Sequence, residues 1–316
     1  MYEKANTDKK QANNNHNMET IKACPICEGN KLRPFIFCKD NLVSHETFKV
    51  DQCESCGFRF TNPRPSEIES GKYYQSEEYV SHSETNKGIT NKMYGAIKKY
   101  TLRQKVKLIN ELSERRNNAI KHILDIGCGS GSFLNVCKND GWIVTGIEPS
   151  EIARRNAKSK FGIEPLSAEK LFEIKEKKFD VITLWHVLEH INQLYKTIDQ
   201  INKVLFDNGT LIVAVPNCNS YDAQKYGDGW AAWDLPRHIY HFTKKDIIAI
   251  FNKLGFRLIK TYPMKFDSYY ISMLSEKYKH GKTNLIFGFC SGITSNLMAN
   301  KSNRGYSSEI YILRKT

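Results

Sequence analysis

From His122 to the carboxyl end, short runs of β-branched residues alternate with stretches whose apolar positions recur every three or four residues. The runs HILDI (122–126), WIVTGIE (142–148), FDVITLW (179–185), TLIVAV (210–215), FRLIKTY (256–262) and EIYILR (309–314) read as strands. Between them, Ile191, Leu194, Tyr195, Ile198, Ile201 and Leu205 keep one helical face apolar, and Ile247, Ile248, Phe251 and Leu254 do the same. Strands alternating with helices predict an α/β domain with a mostly parallel sheet covered on both faces. Upstream, Leu102, Val106, Ile109 and Leu112 have helical spacing within 92–116, and Tyr73, Tyr74 and Tyr79 cluster among acids after a capping Ser66. These helices are expected to link the amino-terminal part to the main domain and to lie over its cleft. The first 17 residues carry almost no apolar side chains and are expected to be disordered. The chain divides accordingly into a disordered tail (1–21), a small module (22–65) that leaves through Pro63 and Pro65, a helical linker and cap (66–120) and the main domain (121–316).

Length and charge narrow the classes. A chain of 316 residues accommodates one large domain with attachments, or two small domains. No run approaches the ~18 apolar residues that cross a bilayer, and the polar start has no secretory core, so the cytoplasm is the expected location. Met18, close to the first cysteine pair, is an alternative natural start to Met1. The formal net charge of +13 could serve nucleic acid, an anionic membrane or a phosphorylated substrate. The lysines are spread among Asn and Ile without a block of five or six, so general composition is the first explanation.

Cysteine spacing carries chemistry. Cys24 and Cys27 form one Cys-x-x-Cys knuckle, and Cys53 and Cys56 form a second followed by Gly57. Four thiolates so paired match a tetrahedral Zn2+ site, and a long hairpin between the knuckles would absorb the extra separation. The alternative, one pair acting as a redox dithiol, lacks the strand and helix pattern around it. Four Cys ligands leave no open position, so the metal is expected to be structural. Cys38, Cys128, Cys137, Cys218 and Cys290 read as ordinary buried or semi-buried thiols.

The sharpest motif is LDIGCGSGSF at 124–133, between a strand and a helix. Gly127, Gly129 and Gly131 let the backbone turn tightly and approach a ligand at the helix N-terminus. The dinucleotide fingerprint fails because Ser132 takes the third glycine position. Asp125 precedes the glycines, Glu148 ends the next strand where an acid accepts hydrogen bonds from a ribose diol, and LWHVLEHI (184–191) closes a later strand.

Together these residues resemble the class I S-adenosylmethionine-dependent methyltransferases over about two thirds of the chain. The resemblance implies a Rossmann-like, seven-stranded sheet with helices on both faces, whose last strand, EIYILR, runs antiparallel. It implies that Asp125 and the loop of Gly127, Cys128, Gly129 and Gly131 face the amino-acid part of the cofactor and that Glu148 holds its ribose. It places Ala168 and Glu169 near the adenine and Trp185 on the cofactor side. The four-cysteine ribbon, HVLEH and DLPRHIYHFT further resemble ubiquinone-type O-methyltransferases and, more loosely, zinc-containing sugar C-methyltransferases.

Methyl transfer is an in-line displacement, in which positioning contributes roughly 7–11 kcal/mol and a base on a hydroxyl nucleophile a further ~10²- to 10⁴-fold. By likeness to the O-methyltransferases His190 is the base, with His186 on the cofactor side and His238 a further catalytic candidate beside His241 and Tyr240. The competing account has Glu189 and His190 merely opening a helix. Trp230, Trp233, Pro236, Arg237 and His238 are expected to form a substrate wall, or to pack into the core. The acceptor is expected to be a small molecule. The rivals are a nucleotide-sugar C-methyltransferase, an RNA methyltransferase and a catalytically inactive zinc-ribbon scaffold. Against RNA, LWHVLEH lacks the Asn-Pro-Pro-aromatic element of amino-methylating nucleic-acid enzymes, and Pro216, Asn217 and Cys218 read as a strand exit rather than a cysteine nucleophile. The stretch 267–306, apolar and lysine-bearing, is expected to be a lid, with a dimer contact or a membrane surface as its alternatives.

Overall fold

The computed structural model describes residues 18–74, 89–113, 121–281, 284–301 and 303–316. The expected disorder of residues 1–17, the role of Tyr79 and the end of the linker helix at 116 lie outside these residues.

Residues 18 and 19, placed before the expected boundary at 21, already form a strand. Strand β1 (Met18–Glu19) pairs antiparallel with β5 (Arg64–Pro65) after the intervening strands β2 (Leu32–Lys39), β3 (Thr47–Cys53) and β4 (Arg59–Thr61) form an antiparallel sheet. The long β2–β3 hairpin supplies the extra distance between the two cysteine knuckles. This module is not a separate body. Its Phe58, Phe60, Cys24 and Cys53 are buried in one core with Leu184, Val215 and Phe242 of the main domain.

The main sheet begins with β6 (His122–Ile126), β7 (Ile143–Ile147), β8 (Phe179–Trp185) and β9 (Leu205–Pro216), which are mutually parallel. Strand β10 (Tyr240–His241) leaves this domain to pair with β4 at the edge of the amino-terminal sheet. Then β11 (Phe256–Pro263) and β12 (Ser308–Lys315) complete the order β11-β12-β9-β8-β6-β7, with β12 alone antiparallel. The run FDVITLW is buried along nearly its whole length, which is why it reads as continuously apolar rather than alternating.

Six strands stand where seven were expected. The missing edge strand is reduced to a single parallel bridge between Ile147 and Leu166. Pro165 precedes that bridge and has no N–H to donate, so the ladder cannot extend through it.

Both faces of the sheet are covered. The helix Ile89–Ser113 lays Val106 and Ile109 against Ile123, Val181 and Ile212, so the linker is part of the core. On the other face the helices Leu194–Val204 and Lys244–Lys253 bury Ile198, Ile201, Ile247 and Phe251. Truncating a residue such as Ile109 to Ala would cost about 2–5 kcal/mol. Ser66 caps its short helix by accepting the N–H of Glu69, as its position suggested. Cys38, Cys128, Cys137 and Cys218 are buried, but Cys290 is exposed, a correction to its reading as a packed thiol. No helix among the described residues is long and apolar enough to cross a membrane.

Candidate active site and metal centre

The chain steps from β7 across β6 to β8, which makes the carboxyl end of β6 the point where the strand order reverses. Open α/β sheets bind their ligands in the crevice at such a point. Asp125 lies there, 3% exposed, and accepts the hydroxyl of Thr183 from the neighbouring strand at 2.6 Å. Burial pushes its carboxyl up to about 7, against the Thr183 hydrogen bond and the Lys105 charge. Lys105 is itself held below its ordinary value by burial, and its Nζ sits 4.0 Å from the ring centroid of Trp185.

The loop after β6 needs glycine for two different reasons. At Gly127, with φ +72°, a Cβ would meet Val187 Cγ2 at 2.4 Å, so the position is closed by packing. At Gly129, with φ +56°, no atom lies within 4 Å of a Cβ, so this part of the loop faces open space. Glu148 braces the loop: its Oε2 accepts the N–H of Gly129 at 2.8 Å and its Oε1 that of Ser150 at 2.8 Å. A carboxylate has about four lone-pair sites, so two oxygens remain able to accept a ribose diol. Burial raises Glu148 above the usual carboxylate range while these two N–H donors pull it back.

The other cofactor candidates separate by position. Gly131 closes the loop with φ +76°. Cys128 turns its thiol into the core beside Phe133 and Leu134, leaving only its backbone to the loop. Ala168 and Glu169 open a short 3-10 helix just after Leu166, whose carbonyl oxygen accepts the N–H of Glu148 at 2.9 Å. Glu169 is exposed and Ala168 half-buried. Trp185, at the end of β8, has a buried indole N–H without a hydrogen-bond partner.

Beyond β8 the segment His186–His190 forms a turn and a single 3-10 turn, Leu188–His190, rather than the start of the following helix, which begins at Leu194. His186 takes φ +56°, a conformation costly for a non-glycine residue, and is clamped by carboxylates. Its Nε2 lies 2.9 Å from Asp267 and its Nδ1 3.5 Å from Glu189. Against its burial, these two acids hold His186 at about 10, so it carries a proton at neutral pH. That makes it a cationic clamp between Asp267 and Glu189.

His190 is the opposite case. Its Nδ1 lies 3.0 Å from the carbonyl oxygen of Arg237 and 3.0 Å from the hydroxyl of Tyr74. A carbonyl only accepts, so Nδ1 carries the proton and Nε2 presents a lone pair. Burial, then the neighbouring charge of His238, lowers His190 to about 4, with Glu189 and Asp234 opposing. His238 is oriented in the same manner, its Nδ1 donating to the carbonyl of Ala232 at 2.9 Å. The two imidazoles stand edge to face with centroids 4.6 Å apart.

Glu189 faces both rings. It is 1% exposed, neither of its oxygens has a hydrogen-bond partner, and His238 Nε2 is 4.0 Å from Oε1. One donor atom from each of Glu189, His190 and His238 lies within 4.8 Å of the others, a set that could hold a divalent cation. This convergence was not legible in the sequence, where Glu189 read as a helix-opening acid. His238 comes from a loop 48 positions further on than His190, and nothing in either segment marks them as neighbours.

A small cleft beside His190 is lined by Tyr73, Tyr74, Asn192, Pro236 and Arg237. Its wall therefore comes partly from the segment after the cysteine module. Arg237, 3% exposed, ties that wall together by pairing with Asp40 at 2.9 Å and Asp234 at 2.6 Å and by donating to the carbonyl of Tyr73 at 3.0 Å. The remaining loop candidates are tied into the fold. His241 of β10 bonds Thr61 of β4, and Tyr240 accepts a hydrogen bond from Arg64. Trp230 and Trp233 pack edge to face inside the core, their N–H groups given to Asp222 and the carbonyl of Gly227, so they do not form an open wall. Pro216 ends β9, as a strand exit requires.

The four cysteines of the knuckles converge. Their sulfurs lie within 4.8 Å of one another, with Cys24 to Cys56 and Cys27 to Cys53 both at 3.5 Å, and none is in a disulfide. Sulfurs around tetrahedral zinc, at ~2.3 Å from the metal, stand about 3.8 Å apart, so the cluster fits that ion. The N–H of Ile26 points at Cys24 Sγ from 3.4 Å.

The chain matches the family model described as a methyltransferase domain over residues 97–261, just over half its length. The ubiquinone biosynthesis O-methyltransferase of Histophilus somni is 32% identical over 108 residues, spanning 31% of this chain and 45% of that protein. The protein of the same description from Pseudomonas syringae pv. tomato is 30% identical over 145 residues, 43% of this chain and 62% of that one. The match thus spans between 45% and 62% of these relatives. Among solved structures, magnesium protoporphyrin IX methyltransferase from Synechocystis with bound S-adenosylhomocysteine has 16% identity and a TM-score of 0.49, covering 77% of this chain and 97% of that one.

Proposed function

The chain belongs to the methyltransferase-domain family, and on that premise we propose that it moves a methyl group from S-adenosylmethionine to a hydroxyl oxygen of a small-molecule acceptor. The residues present fit that cofactor. Asp125 is a buried carboxylate suited to an ammonium, Gly129 leaves its loop open, Glu148 keeps acceptor capacity for a ribose, and Trp185 has an unused buried donor. When bound, the cofactor supplies an electrophilic methyl on a sulfonium. The protein's part is to hold the acceptor in line and to take its proton.

The observation that carries the hydroxyl reading is the tautomer of His190. With Nδ1 spent on Arg237, its Nε2 is a free base at neutral pH beside the cleft of Tyr73, Tyr74 and Arg237. As the hydroxyl proton moves to Nε2, the new imidazolium gains the nearby buried carboxylate of Glu189 as a counter-charge that it shares with His186, which offsets the weak basicity that burial imposes. His238 lies close enough to tune that proton, and His186 secures Glu189 from the other side.

We assign Zn2+ to Cys24, Cys27, Cys53 and Cys56 as a structural ion. The knuckles hold β4 and β5 in place, and those strands lead directly to Tyr73 and Tyr74, so the metal module shapes the acceptor cleft without taking part in chemistry.

Labelled S-adenosylmethionine with a panel of phenols and nucleotide sugars tests the reading. Product mass and NMR should show O-methylation by the wild type and its loss in His190→Asn, with S-adenosylhomocysteine binding retained. A C-methylated product, or full rate in His190→Asn, would overturn the assignment of His190 as the base for a hydroxyl.

A further inference from the structure

The helices Lys265–His280 and Leu285–Lys301 form a hairpin whose second helix is turned inside out. Its small and polar residues face inward. A Cβ on Gly288 would meet the Met273 backbone at 2.7 Å and one on Gly292 that of Tyr269 at 2.8 Å, so the two helices touch nearly backbone to backbone. Ser291 accepts Lys225 Nζ at 2.7 Å, and Ser295 donates to Asp222 at 3.0 Å. The large apolar residues face outward: Ile286 is 76% exposed, Phe287 66%, Phe289 54% and Leu297 56%, with Ile293 between them. They recur at helical spacing along one ridge, flanked on the first helix by exposed Phe266, which packs edge-on to Tyr100. Soluble surfaces scatter such residues singly, and a continuous ridge of them marks a docking face.

Charge identifies what the face docks on. Between positions 265 and 304 the sequence has six Lys and Arg and two carboxylates. Both acids are turned inward: Asp267 holds His186, and Glu276 accepts the hydroxyl of Tyr226 at 2.9 Å. Lys265, Lys279, Lys301 and Arg304 are exposed on the hairpin and just past its end, and no carboxylate described between positions 265 and 304 is exposed. Two copies meeting face to face would bring two hairpins of net positive charge together, which disfavours a symmetric dimer. An exposed apolar ridge on a hairpin of net positive charge suits insertion between the headgroups of an anionic bilayer, where apolar burial and electrostatic attraction add.

We propose that this hairpin seats the protein peripherally on an anionic lipid surface. Because Asp267 in the hairpin's first turn also clamps His186 at the end of β8, the docked face adjoins the candidate site. The proposal stands apart from the identity of the methyl acceptor.

Co-sedimentation of the full chain with vesicles of phosphatidylcholine alone and with phosphatidylglycerol tests it. The expected result is binding that requires phosphatidylglycerol, weakens with salt, and falls at least about tenfold in Ile286→Ser/Phe287→Ser/Leu297→Ser. These side chains are exposed, so unchanged circular dichroism and S-adenosylhomocysteine binding should accompany the loss. Lys279→Glu/Lys301→Glu should weaken binding without altering the apolar ridge. Absence of sedimentation, or equal sedimentation of the serine variant, would overturn the proposal. So would a wild-type dimer in analytical ultracentrifugation that the serine variant converts to monomer, since a second copy would then be the occupant.

Discussion

The backbone carbonyl oxygen of Arg237 accepts the Nδ1–H of His190 at 3.0 Å, joining a loop residue to a strand-end residue 47 positions away. The contact fixes which imidazole nitrogen is free and, on the proposed function, the direction from which an acceptor hydroxyl would lose its proton.

Replacing His190 by Asn should lower kcat by ~10²- to 10⁴-fold with little effect on S-adenosylhomocysteine affinity. In the wild type, the acid limb of kcat/KM assigned to His190 should fall near pH 4 rather than at the ordinary histidine value. The same shift bears on stability. Between about pH 6.5 and 4 the unfolded chain binds a proton that native His190 refuses, so this contribution is complete above 6.5 and is lost as pH falls. Urea denaturation at pH 5 and 7 should show a smaller acid loss in His190→Asn. His186 has the reverse sign: held at about 10, it contributes stability that is full below ~6.5 and lost as pH rises through 10.

Cofactor affinity should depend on Asp125 ionisation. Burial sets this carboxyl at about 7, and a ligand ammonium favours its charged form. S-adenosylhomocysteine should bind more tightly at pH 8 than at pH 6 and release protons near pH 7, seen as heat that varies with the buffer. Asp125→Asn should abolish the pH dependence. Glu148→Ala should weaken binding by about 1–3 kcal/mol, because it removes both a ribose acceptor and the brace on Gly129.

Arg237→Met should destabilise the fold by about 3–5 kcal/mol, since it leaves Asp40 and Asp234 without their buried partner. Denaturation midpoints measure this directly. Asp40 is held below the usual carboxylate range by the Arg237 hydrogen bond and by the Ser44 and Leu42 N–H groups, against its own burial, so its share of stability is present above the unfolded value near 4 and is lost as pH falls further.

Cys53→Ser should lower the melting temperature by several degrees and reduce bound zinc, because Cys53 shares a core with Phe58, Phe60 and Leu184. Atomic absorption and thermal melting of the same samples check it. Unchanged melting with stoichiometric zinc lost would count against a structural ion.

Local signals determined much of this protein. The six strands from HILDI to EIYILR were legible because buried β-branched runs are visible residue by residue, and the glycine loop, Asp125, Glu148 and the cysteine knuckles because their spacing is itself the chemistry. Tertiary structure alone decided the rest. It reduced the seventh strand to a bridge at Leu166, since a single proline beside an edge outweighs the general pattern. It joined β10 to β4, making a cysteine module that looked detachable part of one core. It turned the hydrophobic helix 285–301 outward, because glycine and serine at the close helix contact leave no room inside for Phe287 or Leu297. And it divided three similar histidines among different roles: His186 is kept charged by two acids, while His190 and His238 are aimed by backbone carbonyls toward Glu189. Protonation and tautomer depend on groups brought together across the fold, and no residue carries that information in its own sequence neighbourhood.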